Sequence, residues 1–212
     1  MSNFYAQIIV PCAGVLPVII GLLRKKYWNK QARILLLYLC LAGLFNIIAS
    51  LTFRSNNMPY LHLYTVLEFT VLCIYLRSFS EDKRHRLLFN GLIIGFLLLS
   101  LWLAFVKKQL FVFNEIPRFL DSLIISIVCL YYLLKDLGST VSNLSRFQFL
   151  TLTGLLFYYS TCSVLFGLSS ELTKMPREIA TLMWNIHHTL LLLMYILFAL
   201  AFYSLKNTEN GR

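Results

Sequence analysis

Long apolar segments separated by short polar connections form the main pattern of this chain. Each apolar segment has about 17 to 25 residues, enough for an α-helix to cross a hydrocarbon core of about 30 Å. The pattern predicts an all-α polytopic membrane protein, in which seven transmembrane helices form a single domain over residues 1–212. The helices are predicted at about 7–23, 34–53, 60–79, 87–106, 119–135, 149–168 and 181–205.

The composition agrees with a membrane protein, because 58% of the residues are hydrophobic and only 13% are charged. A net charge of +10 would also suit a nucleic-acid-binding protein. However, the basic residues lie at the ends of apolar segments, where topology and anionic lipid headgroups account for them. We therefore expect the lipid bilayer, and no nucleic acid, as a partner. The five cysteines lie inside apolar segments without a CxxC pair, so no disulfide framework is predicted.

Lys and Arg are distributed unevenly between the two ends of the predicted helices. One end carries thirteen of the nineteen basic residues. Because basic loops stay in the cytoplasm, the bias predicts an inner-membrane, multi-pass protein with its N-terminus outside and its C-terminus in the cytoplasm. The basic residues at the predicted cytoplasmic end are Arg24, Lys25, Lys26, Lys30, Arg33, Arg77, Lys83, Arg84, Arg86, Lys135, Arg146, Lys206 and Arg212.

Glu68 lies inside the third predicted helix, where a charged side chain needs an explanation. An unpaired acid near the centre of a membrane helix costs about 2.5 to 3.5 kcal/mol, so such residues face a protein interior. Three explanations are open. Glu68 is a structural partner of His188 or of an asparagine, it binds a ligand, ion or cofactor, or it is a catalytic acid or base.

Other polar side chains are concentrated in the predicted outer halves of the helices. Tyr64 lies one helical turn before Glu68, on the same face. In the last helix, Trp184 and His188 share a stripe and His187 is turned about 100° away, so we expect His188 to face inward. A bundle with this distribution is typical of a pocket that opens to the outside. The candidate ligand-binding residues are Asn46, Tyr64, Glu68, Tyr158, Asn185 and His188.

A metal-dependent lipid hydrolase is the alternative function. Two histidines and a carboxylate form a plausible catalytic zinc site, in which metal-bound water is the nucleophile. The zinc ligands would be His62, His188 and a carboxylate from Glu68 or Asp121. The first hypothesis involves no cofactor, and it favours a non-enzyme while leaving the question open. A transporter is a third alternative, indicated only by the similar spacing of three prolines that precede odd-numbered helices.

Two motifs carry a resemblance to a known group of proteins. NMPYLHLYTVLE at residues 57–68 and WNIHH at 184–188 resemble segments of uncharacterised small seven-helix bacterial membrane proteins of the Bacteroidetes type. Members of that group are similar to the membrane sensor regions of histidine kinases. The resemblance implies a sensory or signalling-associated membrane module.

The pocket and the resemblance together predict a receptor-like membrane protein that binds a small or lipidic ligand. The basic cytoplasmic loops are the expected contact for a separate signalling protein, which would relay the signal.

Overall fold

The computed structural model describes residues 4–52, 56–140, 144–172 and 174–205, and these residues form helices and short connections without a strand. The predicted all-α class is therefore confirmed. The first helix, α1 (Val10–Leu23), follows a π-helical turn at Tyr5–Ile9 and is interrupted at Gly14. The later helices are α2 (Lys30–Leu51), α3 (Met58–Arg77), α4 (Lys83–Leu101), α5 (Glu115–Leu137), α6 (Arg146–Gly167) and α7 (Arg177–Tyr203).

In the described part of the chain, the six helices α2 to α7 are long and apolar enough to cross a membrane. The chain is accordingly a multi-pass membrane protein. The segment predicted at 7–23 differs, because it is a shorter helix with irregular hydrogen bonding at its start. Pro11 explains the irregularity, since it has no N–H to donate and its ring clashes with the carbonyl four residues earlier.

Helices α2 to α7 begin two to four residues earlier than the apolar segments predicted, while only α5 also ends later. Helix α2 begins at Lys30 instead of 34, and the side chain of Asn29 caps it by accepting a 2.7 Å hydrogen bond from the Ala32 N–H. Helix α6 begins with a capping box between Ser145 and Gln148. Such caps satisfy free backbone groups in the first turn, so a helix can start in the polar interface before its apolar part begins.

Helices α5, α6 and α7 form the most closely packed part of the bundle, and α3 packs against both α2 and α5. Helix α4 lies at the edge and packs mainly against α3. A Cβ at Gly91 or Gly95 of this helix would meet no described atom within 4 Å. Both glycines line an open groove between α4 and α5, together with Leu120 and Ile124.

Helix α1 runs parallel to α7. The Tyr5 hydroxyl, in the π-helical turn before α1, donates a 3.1 Å hydrogen bond to Thr189 near the middle of α7. Further along, a Cβ on Gly14 would lie 3.1 Å from the Tyr195 ring, and one on Gly21 would lie 3.2 Å from the Phe202 ring. The absence of side chains at these glycines allows α1 to lie directly against the aromatic face of α7.

Candidate functional site

Glu68 lies near the middle of the 20-residue helix α3, and only 1% of its surface is exposed. Its Oε2 accepts a hydrogen bond from Arg118 Nη1 of α5, which makes a buried ion pair. Its Oε1 accepts hydrogen bonds from the hydroxyls of Tyr64 at 2.8 Å and Tyr159 at 2.7 Å. The Tyr38 hydroxyl of α2 lies 3.5 Å from the same oxygen. Glu68 therefore connects four helices through its two carboxylate oxygens.

Asp121 is a second carboxylate beside the same guanidinium group. Its Oδ2 lies 3.6 Å from Arg118 Nη1, one helical turn away, and 1% of the residue is exposed. Neither of its carboxylate oxygens has a hydrogen-bond partner among the described residues. The cluster of Glu68, Arg118 and Asp121 thus holds two acidic side chains and one basic side chain in a buried setting, where such charges are costly unless paired.

Aromatic rings surround the guanidinium group of Arg118. Its Cζ lies 5.5 Å from the ring centre of Tyr64 and 4.9 Å from that of Phe166. Arginine suits this position because a planar guanidinium binds a carboxylate at its edge and stacks on an aromatic ring with its face. The side chain is 9% exposed, and its Nε has no partner within the described part of the chain.

A cavity of about 370 Å³ opens above this cluster. The end of α2, the start of α3 and α5, and the middle of α6 and α7 enclose it, at the end of the bundle opposite the basic connection that precedes α2. Arg118 forms part of its lining, while Glu68 lies behind Arg118 and Tyr64. Its polar and aromatic lining includes Tyr38, Asn46, Tyr64, Arg118, Tyr158, His187, His188 and Tyr195.

The structure brings most of the predicted ligand-binding residues to this cavity. Asn46, Tyr64, Tyr158 and His188 line it. Glu68 is joined to it by hydrogen bonds. Asn185 is not part of the lining.

The expectation that His188 rather than His187 faces inward is wrong. His187 is 8% exposed, and its Nδ1 lies 3.4 Å from the Cys162 sulfur, whereas His188 is half-buried. The Nδ1 of His188 lies 2.6 Å from the Trp184 carbonyl, one turn back on its own helix. Glu68 is accordingly paired with Arg118 and not with His188. Both histidine rings still line the cavity, with their centres 5.5 Å apart.

The proposed zinc ligands do not converge. Among the described residues, no group of three or more His, Cys, Asp and Glu side chains is close enough to hold a metal ion. His62 Nε2 lies 3.1 Å from the backbone carbonyls of Gln109 and Val112, in the connection before α5. Glu68 and Asp121 are both beside Arg118, and His188 is turned to its own helix. His62, Glu68, Asp121 and His188 therefore do not form one ligand set among the described residues, and zinc binding stays a prediction.

Sequence reasoning missed Arg118 and Tyr38, and it did not select Tyr159 or His187 for the site. Arg118 was assigned to the loop before the fifth span, which was predicted to start one residue later. The spacing of three residues between Arg118 and Asp121 was the available signal, because residues three apart lie on one face of a helix. Tyr38 carried no comparable signal, since a tyrosine in an apolar helix is common.

Comparison with protein-family models, with curated proteins and with solved structures finds no match for this chain. The functional argument therefore depends on the site itself.

Proposed function

We propose that this protein is a receptor-like membrane protein that binds a small or lipidic ligand in the cavity above Arg118. The carrying observation is the position of the cavity, which lies directly against a buried network that links α2, α3, α5 and α6. A ligand in this cavity would contact Arg118 and Tyr64, and both side chains bind Glu68.

The lining suits binding. A volume of about 370 Å³ lies within the range of small-molecule sites, which are mostly apolar with a few polar groups that orient the ligand. Aromatic rings such as Phe45, Tyr60 and Phe113 supply the apolar surface, and Asn46 and His188 supply polar atoms. The mouth lies at the end of the bundle that the distribution of basic residues assigns to the outside.

The network suits a relay of ligand binding to the helices. Tyr159 of α6 and Arg118 of α5 donate to the Glu68 carboxylate of α3, so these groups are engaged in holding helices together. A ligand that binds one arrangement of α2, α3, α5 and α6 better than another would shift the population between the two. This assignment joins two of the three explanations for Glu68, because the residue is both a helix partner and a neighbour of the ligand.

We also propose that residues 5–23 form the seventh transmembrane segment. Nineteen helical residues would extend about 28 Å, close to the thickness of the hydrocarbon core. The parallel packing of α1 along α7 supports a crossing from the same side. Seven crossings give an external N-terminus and a cytoplasmic C-terminus in the inner membrane. A separate signalling protein would then contact the basic cytoplasmic loops, in line with the sensory resemblance of the two motifs.

Filling the cavity should remove its ligand. Ala49 lines the cavity, whereas Ser50 is exposed on the same helix and lies outside that lining. We expect a small molecule to co-purify with the wild type and with Ser50→Phe, and to be depleted in Ala49→Phe, because the added ring occupies the binding space. Mass spectrometry of organic extracts from the three detergent-purified proteins measures this. Identical extracts from all three would contradict the proposal.

The orientation can be tested by labelling of single cysteines. We expect a membrane-impermeant maleimide added to intact cells to label a cysteine at Lys108 and not one at Lys83, in a variant without the five native cysteines. The two positions lie at opposite ends of α4 and its π-helical extension. Labelling at Lys83 in intact cells, with Lys108 protected until the cells are lysed, would reverse the proposed orientation.

A further inference from the structure

A second cavity, of about 520 Å³, lies at the opposite end of the bundle. It is enclosed by the connection before α2, the start of α6 and the end of α7. Its polar lining includes Tyr27, Ser145, Arg146, Tyr203 and Ser204. The proposed receptor function makes no use of this cavity.

The segments that enclose this cavity carry basic residues and no acidic residue. Residues 1–67, 137–170 and 179–208 contain no Asp or Glu, and every segment that encloses the cavity falls inside these ranges. Arg146 lines the cavity, and neither it nor Arg24 takes part in any of the ion pairs that the described residues form. Asp136 lies close to this region, because its Oδ1 accepts a 3.0 Å hydrogen bond from the Leu144 N–H, but its side chain is not part of the lining. An anion would therefore meet the guanidinium groups of Arg24 and Arg146, neither of which takes part in the ion pairs of the described residues.

Aromatic rings fix the position of Arg24 beside the cavity. Its Cζ lies 4.9 Å from the ring centre of Tyr203 and 5.9 Å from that of Tyr27, and both tyrosines belong to the lining. Stacking on two rings restricts a flexible side chain and leaves the edge of the guanidinium group for hydrogen bonds. Arg24 and Arg146 thus approach one cavity from different parts of the chain.

We propose that this cavity binds a phosphate group. Guanidinium groups donate paired hydrogen bonds to phosphate oxygens, and the Ser145 hydroxyl, which accepts a hydrogen bond from the Gln148 N–H, keeps its own proton to donate. Phe147 and Leu205 supply an apolar wall beside the polar groups. The cavity lies where transmembrane helices begin and end, which is the level of lipid headgroups. An anionic phospholipid therefore fits the site as a whole, and a soluble phosphate ester shares the same recognition chemistry.

The test measures binding of short-chain lipids to the full-length protein in an uncharged detergent. Native mass spectrometry gives the affinity for dioctanoyl phosphatidylglycerol, for the zwitterionic dioctanoyl phosphatidylcholine and for inorganic phosphate. Arg24→Gln and Arg146→Gln remove the proposed donors. Lys25→Gln is the matched control, because Lys25 is an exposed cation on the same connection and is not part of the lining.

We expect phosphatidylglycerol to bind more tightly than phosphatidylcholine, and each arginine variant to weaken its binding about tenfold, the effect of losing a charged hydrogen bond. Lys25→Gln should weaken it by about twofold or less, because a solvated charge is screened. Equal weakening by Lys25→Gln and Arg146→Gln would overturn the proposal, because the lipid would then be attracted by the general positive charge of this surface and not by the cavity. Equal binding of the two lipids would also overturn it. If inorganic phosphate displaces phosphatidylglycerol at a similar concentration, the cavity is a phosphate site whose natural ligand is a soluble phosphate ester. If it does not displace the lipid, the natural ligand is the phospholipid.

Discussion

Replacing Arg118 with methionine should lower the free energy of unfolding by about 3 to 5 kcal/mol, the usual effect of removing one partner of a buried ion pair. Arg118 donates to Glu68 and lies 3.6 Å from Asp121, and all three residues are buried. Methionine fills a similar space but leaves two adjacent carboxylates without a cation. Their mutual repulsion and poor solvation should then drive α3 and α5 apart.

Equilibrium unfolding in mixed micelles of a neutral detergent and dodecyl sulfate measures this effect. Arg177→Met is the matched control, because Arg177 is exposed at the start of α7, and we expect its effect to be within about 0.5 kcal/mol. Adding Glu68→Gln to Arg118→Met should recover part of the lost stability, since one uncompensated charge is removed. A loss below about 1 kcal/mol in Arg118→Met would contradict a buried ion pair at the centre of the bundle.

The Glu68–Arg118 ion pair also connects the cavity with the packing of the helices. Glu68 is bound by side chains from α3, α5 and α6, and Tyr38 of α2 completes the contact at 3.5 Å. A change at the cavity that moves Arg118 would alter the hydrogen bonds of Glu68 and thereby the packing of helices on both sides. The pair is thus a physical route by which ligand binding and helix packing are coupled.

Hydropathy predicted the helical class and the positions of the six helices α2 to α7, because the apolar part of a membrane helix must match the thickness of the bilayer. It could not predict where the helices end. The apolar signal stops at the first charged residue, whereas a helix continues until its backbone groups find caps, as α2 does at Asn29 and α6 does at Ser145. For the first segment, hydropathy predicted a helix at 7–23 but not its irregular start, since it does not register the hydrogen bond that Pro11 lacks.

The candidate site was also only partly predicted, because hydropathy gives neither the exact helix boundaries nor the rotation of a helix about its axis. Glu68 was recognised because a carboxylate inside an apolar segment is conspicuous, but its partner Arg118 was assigned to a loop, because the fifth helix was predicted to start at 119 and begins at Glu115. The choice between His187 and His188 depended on the rotation of α7. The stripe of Trp184 and His188 suggested which face of α7 points inward. The buried face, however, also carries Met194 and Phe198, whose apolar side chains gave no sign of a site.

Replacing Tyr159 with phenylalanine should lower the free energy of unfolding by about 1.5 to 3 kcal/mol, the range for a hydrogen bond to a charged group. The Tyr159 hydroxyl donates to Glu68 Oε1 at 2.7 Å in a fully enclosed position. Phenylalanine keeps the ring and removes the hydroxyl, and with it both the hydrogen bond to Glu68 and the 3.3 Å contact with the Tyr38 hydroxyl. The ionised carboxylate would then depend on Tyr64 and Arg118, and the cavity side of the network would loosen.

Tyr75→Phe is the control for that change, because Tyr75 is equally buried on α3 and its hydroxyl has no hydrogen-bond partner among the described residues. Removing an unpaired buried hydroxyl relieves a desolvation cost, so we expect unchanged or slightly higher stability. The opposite signs of the two variants separate a specific hydrogen bond from a general effect of losing a hydroxyl. Equal losses in Tyr159→Phe and Tyr75→Phe, measured by the same unfolding experiment, would show that Tyr159 makes no special contribution to holding Glu68. The site would then lack the link between α3 and α6 that the proposed relay requires.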